Sequence, residues 1–299
     1  GGVEVTEIPY SVSGTFSELK ALDAEDAAYL PGASKVIVED ARPLDDLVVN
    51  ALLKDLASVV FAGGVKDYAA NLLNGGAASA KLTTALGKHA AANITVTSTD
   101  VLTAAQVGTL QTAMGAYSSL TATVGGLASE LATLREDVKG YANLTISVTD
   151  ATAAPVNASD LKAIGLATTG TATVANKVAI SGNIADVTAA LVTSGSKVVL
   201  GTVDTPVTVS GAVTAAEGAA IATATNAAAS FTTGVVDALG NLSSGGTINS
   251  NLTAIQSEQS DVAIAISDAD NFLAAAADLK VVGGATTGTV TVTNQAAIS

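Results

Sequence analysis

The fifteen residues "ATTGTATVANKVAIS" at 167–181 return at 285–299 as "ATTGTVTVTNQAAIS", with four substitutions. The match belongs to a longer one: residues 146–181 and 264–299 align without a gap at a constant spacing of 118. Asp150 falls on Asp268, the triplet Asp160, Leu161, Lys162 on Asp278, Leu279, Lys280, and Asn176 on Asn294. A chain that repeats a pattern at fixed spacing must fold the same local structure twice. This favours an array of stacked units over a single irregular core.

Five short runs have the alternation and β-branched content of strands: "VIVED" from Val36, "ITVTSTD" from Ile94, "ISVTDAT" from Ile146, "VTVSG" from Val207 and "IAISDAD" from Ile264. Their starts lie 58, 52, 61 and 57 residues apart, which sets a unit of about 57. Helix openings follow three of them, "LTAAQVGTL", "VNASDLKAI" and "VTAAEGAAI", each with a small polar residue ahead of an acidic or amide residue and then an apolar stripe. "LDDLVVNAL" and "LAAAADLKV" keep the pattern more loosely. The second half of a unit reads turn, strand, turn, helix, with Asn183 and Asp186 spaced as a capping box, and "YSVSGTFSELKAL" near the N-terminus repeats it with Thr15 and Glu18. Both ends of the sequence therefore read as cuts through a unit.

These elements predict a mixed α/β repeat array, with short strands stacked between units, helices on the flanks and more helix toward the N-terminus. A unit this small cannot bury its apolar face alone. Aromatic residues are 3% and Trp is absent, so burial rests on Ala, Val, Leu and Ile, which suit close, repetitive layers. The chain divides into residues 1–145, with a partial unit and units from near 36 and 94, and residues 146–299, with units from near 146, 207 and 264. Between Leu120 and Tyr141 the residues Leu120, Val124, Leu127, Leu131, Leu134, Val138 and Tyr141 fall at alternating steps of four and three. That spacing predicts a helix packed on another helix, either in a hairpin with "LDDLVVNALLKDLASVV" or in a coiled coil between chains.

Net charge is −14 and the 13 basic residues are scattered, which argues against nucleic acid as a partner. Mean hydropathy is +0.47, yet Lys54 and Asp55 break the most apolar run, so no membrane span is expected. The chain has no cysteine, hence neither disulfides nor thiolate metal sites. His89 is the only histidine and reads as an exposed residue at a helix end. The densest acidic set, Glu39 and Asp40 with Asp45 and Asp46, has the composition of a paired-carboxylate site but lies at a strand-to-helix turn, where caps are expected. An aspartate follows the strand at Asp40, Asp100, Asp150 and Asp268, and the last is joined by Asp270 and Asn271, hard oxygen ligands at alternate positions. Two readings stand: a Ca²⁺ site, or turn caps that recur because the turn recurs. The glycine-rich nonapeptide of calcium-binding β-rolls is absent. Sequons at Asn93, Asn143, Asn157, Asn241 and Asn251 matter only in a cell that glycosylates them.

The segments "VTDATAAPVNASDLKAIGLATTGTATVANKVAISGNIADVTAAL" and "SDADNFLAAAADLKVVGGATTGTVTVTNQAAIS" resemble the tandem repeats of very large bacterial surface proteins of the marine cyanobacterial type, with their "TTG" and "ISG" turns and Ala-rich helices. The resemblance covers the C-terminal half and implies an exported, non-catalytic role at the cell surface or in the extracellular matrix. No site residue carries over from it. The expected function is thus a structural segment of a surface layer, fibre or adhesin that self-associates and needs no cofactor. The alternative is a calcium- or glycan-binding adhesin stalk or viral fibre module.

Overall fold

The computed structural model describes residues 9–115, 118–137, 139–201, 204–225 and 227–299. The protein is mixed α/β, and its strands are mostly three or four residues long. A strand such as Val65–Asp67 or Ile264–Ile266 buries its two ends and turns its middle residue outward, the period-two pattern of a pleated strand. Apart from two small hairpins, every strand pair with an assigned register is parallel. Paired residues lie 22 to 29 apart in sequence, from Val207 with Ala229 to Val65 with Ile94. A parallel connection needs a crossover of a dozen or more residues, and the short helices occupy these crossovers.

The chain forms two units. The first contains the segment up to Gly125, Asp137–Thr145 and Thr168–Gly170. In it Ser11–Gly14 pairs with Lys35–Val38, which pairs with Val59–Phe61. A second row runs from Val65–Asp67 to Ile94–Val96 and on to Leu120 and Thr121. Val36, Val59, Val65, Ile94 and Leu120 point inward and are buried. Each such side chain contributes about 1.5–3 kcal/mol.

The second unit contains Gly126–Glu136, Ile146–Ala167 and Thr171–Ser299. Here Ile146–Val148, Ala172–Val174 and Val198–Leu200 form one row, and Pro155–Asn157, Ala179–Asn183, Val207–Ser210 and Ala229–Phe231 another. Val235–Asp237, Ile264–Ile266 and Val290–Val292 form a third, and Phe272–Ala274 pairs with Ala296–Ile298.

All five runs read as strands are strands. The pairing, however, advances by about half the 57-residue interval, so each interval holds two turns of chain. The strands also fall into two kinds. At a spacing of 170, Val59–Phe61, Val65–Asp67, Ala69–Leu72, Ala80–Lys88 and Ile94–Val96 in one unit have the same element order and lengths as Ala229–Phe231, Val235–Asp237, Leu239–Leu242, Ser250–Glu258 and Ile264–Ile266 in the other. Each set includes an antiparallel hairpin, Leu73–Asn74 with Ala77–Ala78 and Ser243–Ser244 with Thr247–Ile248. Both hairpins turn on a Gly-Gly pair with positive φ, Gly75–Gly76 and Gly245–Gly246, as a tight hairpin requires.

Two expectations are corrected. The 120–141 stretch is not a long helix but strand Leu120–Gly126 followed by the four-residue helix Ala128–Leu131. Val138 lies outside the described residues. Leu120, Ala122 and Val124 also alternate at a period of two, and a seven-residue strand buries all three while Gly125 and Gly126 weaken a helix. Nor is helix concentrated toward the N-terminus. Ten-residue helices stand at Phe16–Glu25 and Ala104–Ala113 and again at Ala215–Ala224 and Ala276–Ala285, because every crossover needs one wherever it lies.

The spacing of 118 holds in three dimensions. Ile146 pairs with Ala172 as Ile264 pairs with Val290. Ala153 and Asn271 share a left-handed conformation with φ of 63°, each donating its N–H across to Lys177 and Gln295 respectively. Asn tolerates this conformation better than alanine does. Ala153→Gly is therefore expected to raise stability by about 0.5–1 kcal/mol, measured by urea denaturation.

Candidate functional site

A recurring polar device links successive turns. The N–H at the start of a helix has no partner within the helix, and the helix dipole favours a negative charge there. In this protein the missing partner is an aspartate from the following turn. Asp40 accepts from Phe16 N–H at 2.7 Å, Asp67 from Leu44 at 2.8 Å and Asp100 from Ala69 at 2.6 Å. In the second unit Asp150 accepts from Ala128 at 2.7 Å, Asp237 from Ala215 at 2.9 Å and Asp268 from Leu239 at 2.7 Å. Five of the six donors are the first residue of their helix, and Leu44 immediately precedes its own.

Asp67 and Asp237 go further. The second carboxylate oxygen of Asp237 accepts from Ala238 N–H at 2.8 Å and Asn241 Nδ2 at 2.7 Å, and Asp67 repeats this with Tyr68 and Asn71. Each carboxylate thus joins the helix behind it to the helix ahead. Neither residue is evident from strand-following aspartates alone. The signal is an Asn four positions after the Asp, in "DYAAN" and "DALGN". The sequon at Asn241 is therefore occupied by a side chain with a structural task.

Other sequence motifs resolve into similar links. The hydroxyl of Thr168 in the "TTG" turn donates to the carbonyls of Ala142 and Leu144 and accepts from the N–H groups of Leu144 and Gly170. Thr286 in the second copy bonds Ser260, Val262 and Gly288 in a similar way. Asn176 Nδ2 donates to the Asp150 carbonyl, and Asn294 to that of Asp268. At the helix starts, Thr15 with Glu18 and Asn183 with Asp186 cap as their spacing predicts. The Thr15 backbone and then its hydroxyl lower the pKa of Glu18, while Lys162 and then Asn183 lower that of Asp186. Both carboxylates contribute fully above the ordinary carboxylate range, and the contribution is lost as pH falls through the lowered pKa.

The acidic set at 39–46 is not a pair of facing carboxylates. Asp46 bonds Arg42, Asp40 lies 3.6 Å from Arg42 and caps Phe16, and Asp45 meets Lys81 at 2.6 Å. Of the oxygen ligands proposed for Ca²⁺, Asp40, Asp100, Asp150 and Asp268 are the helix caps just described. Asp270 accepts from Gln295 N–H at 3.3 Å, and Asn271 is the left-handed turn residue. Among the described residues no three His, Cys, Asp or Glu side chains come together.

His89 is half-buried rather than exposed. It ends the helix Ala80–Lys88, and its Nδ1 accepts from the Phe61 N–H at 3.2 Å, so the proton of the neutral ring sits on Nε2. At the equivalent place Gln259 Oε1 accepts from the Phe231 N–H at 2.7 Å. The requirement at this position is an acceptor, not imidazole chemistry. His89→Gln is expected to leave the melting temperature within a degree or two, whereas His89→Ala should lower stability by about 1–2 kcal/mol.

Exposure differs between the two copies at the spacing of 118. Val174 and Ile180 are 0% and 1% exposed beneath Val198–Leu200 and Val207–Ser210. Their equivalents at the spacing of 118, Val292 and Ile298, are 39% and 68% exposed. No family model, curated protein or solved structure matches this chain.

Proposed function

We propose that this chain is a non-catalytic structural protein, a segment of an extracellular surface layer, fibre or adhesin in which short α/β turns stack and hold one another in place. The turns are a repeat array in this reading, with a unit of two turns, and no turn has enough apolar surface to fold alone. The observation that carries it is the set of six aspartates, each capping the helix of the preceding turn. Such a device has value only where one turn must fix the next. The acidic side chains singled out as ligands or catalysts support it too, because Asp40, Asp45, Asp46, Asp100, Asp150, Asp268 and Asp270 are each engaged by a backbone N–H, Arg42 or Lys81.

The absence of cysteine fits a cytosolic protein as well as a large bacterial exported one, and the extracellular location rests on the likeness of the repeat segments to those of bacterial surface proteins. Antibody labelling of intact producing cells tests the reading. Label on the outer surface or in shed material is expected, and protein confined to the cell interior would overturn it. Calorimetric titration with Ca²⁺ separates it from the stalk alternative: binding accompanied by a rise in melting temperature would move the assignment to a calcium-stabilised stalk.

A further inference from the structure

One turn of the first unit holds a side-chain amide next to a backbone nitrogen that can attack it. Asn74 is the only asparagine in the sequence followed by glycine. It ends the strand Leu73–Asn74, pairs with Ala77 and leads into the Gly75–Gly76 turn of the hairpin, where both glycines have positive φ. Asn74 is exposed, and among the described residues its side-chain amide makes no hydrogen bond. The Gly75 N–H makes none either. At both glycines the space that a Cβ would occupy is empty to 4 Å.

Other asparagines of the first unit are engaged. Asn50 accepts from Leu52 N–H, Asn71 donates to Asp67 and Asn93 accepts from Ser119 N–H, and each is followed by a residue with a side chain. The hairpin itself does not require an amide at position 74. In the matching hairpin of the second unit Ser244 stands there, ahead of Gly245 and Gly246, and the pairing is the same.

We propose that Asn74 is a self-modification site, converted through a cyclic imide to aspartate and isoaspartate as the folded chain ages. The Gly75 nitrogen gives up its proton to hydroxide and attacks Cγ of Asn74. The N–Cγ bond forms, the Cγ–Nδ2 bond breaks, and Nδ2 takes a proton from water and leaves as ammonia. The five-membered ring is then opened by water at either of its two carbonyl carbons. Opening at Cγ gives aspartate, and opening at the main-chain carbonyl gives isoaspartate. Glycine favours closure twice over, since it has no Cβ to obstruct its nitrogen and its backbone turns freely.

This chemistry goes beyond the structural reading above and does not depend on it. Each event adds one negative charge to the −14 of the chain. The isoaspartyl product also lengthens the main chain by one carbon at the tip of a hairpin whose Gly76 carbonyl accepts from the Thr109 hydroxyl at 3.0 Å. Thr109 lies on the helix Ala104–Ala113, so the reaction alters a link between successive turns.

Incubation of the purified chain in mildly alkaline and in mildly acidic buffer, followed by peptide mass mapping and chromatographic separation of aspartyl from isoaspartyl peptides, provides the test. The mass gain of an amide-to-acid exchange is expected at Asn74 ahead of every other asparagine, faster in the alkaline buffer, with isoaspartate among the products. Asn74→Ser should abolish the gain in that peptide and keep the hairpin, as Ser244 does in the other unit. Asn74→Gln keeps an amide but requires a six-membered ring, and should nearly abolish it. An intact amide at Asn74 while other asparagines convert would overturn the proposal. So would aspartate as the sole product, the mark of direct hydrolysis, or a gain that persists in Asn74→Ser and therefore belongs to Asn71.

Discussion

Asp237→Ala should destabilise the protein by about 2–4 kcal/mol in urea denaturation. Asp237 is only 9% exposed and accepts three hydrogen bonds, from Ala215, Ala238 and Asn241. Alanine leaves these donors in a site that water reaches poorly, so the cost includes their desolvation as well as a lost helix cap. Asp237→Asn keeps the shape but replaces one acceptor oxygen by a donor facing a donor, and should recover less than half of the loss. Asp268→Ala, which breaks one bond at a less buried site, should cost about 0.5–2 kcal/mol. Equal losses at the two positions would contradict the assignment of Asp237 as a link between two helices.

Gly234→Ala is expected to cost about 2–5 kcal/mol, combining left-handed backbone strain with overpacking. Gly234 has φ of 86°, and a Cβ there would overlap the carbonyl of Ala263, just before the neighbouring strand Ile264–Ile266. Backbone cannot move aside as a side chain can. Gly240 is the control. It lies in the helix Leu239–Leu242 with open space around its Cα, so Gly240→Ala should be neutral or stabilising by up to about 1 kcal/mol. A mild effect at 234 would mean that the strands on either side can separate, against the close stacking described above.

Between the two units, the positions that stay identical at the spacing of 170 include those whose geometry admits few residues. Gly64 and Gly234 share the positive φ, Asp67 and Asp237 the double cap, Asn71 and Asn241 its amide donor, and the Gly-Gly pairs the hairpin turn. The large core residues Phe61, Val65, Leu72, Leu82 and Ile94 are also kept, as Phe231, Val235, Leu242, Leu252 and Ile264, whereas Val59 is replaced by Ala229, Ala85 by Ile255 and Val96 by Ile266. Burial is non-directional and accepts another apolar residue of about the right size, so some core positions change while the largest hold. With eleven identities spread over the 38 residues 59–96, against eleven of the fifteen at 167–181, the match at 170 is much fainter in the sequence than the match at 118.

The sequence by itself determined the local elements: the strands at Val36, Ile94, Ile146, Val207 and Ile264, the helix starts, and the caps at Thr15 and Asn183. Each depends on residues within four or five positions of one another, and alternation or capping chemistry is readable at that range. Only the tertiary structure decided that the pairing advances by one turn rather than by a whole 57-residue unit, that 120–126 is a strand, and that the aspartates cap helices behind them. The spacing from Asp150 back to Ala128, or from Asp268 back to Leu239, is a sum of loop lengths, and the acceptor carries no mark of which N–H it will meet. Those partners are chosen by parallel stacking, which places a turn's last polar residue over the start of the previous helix.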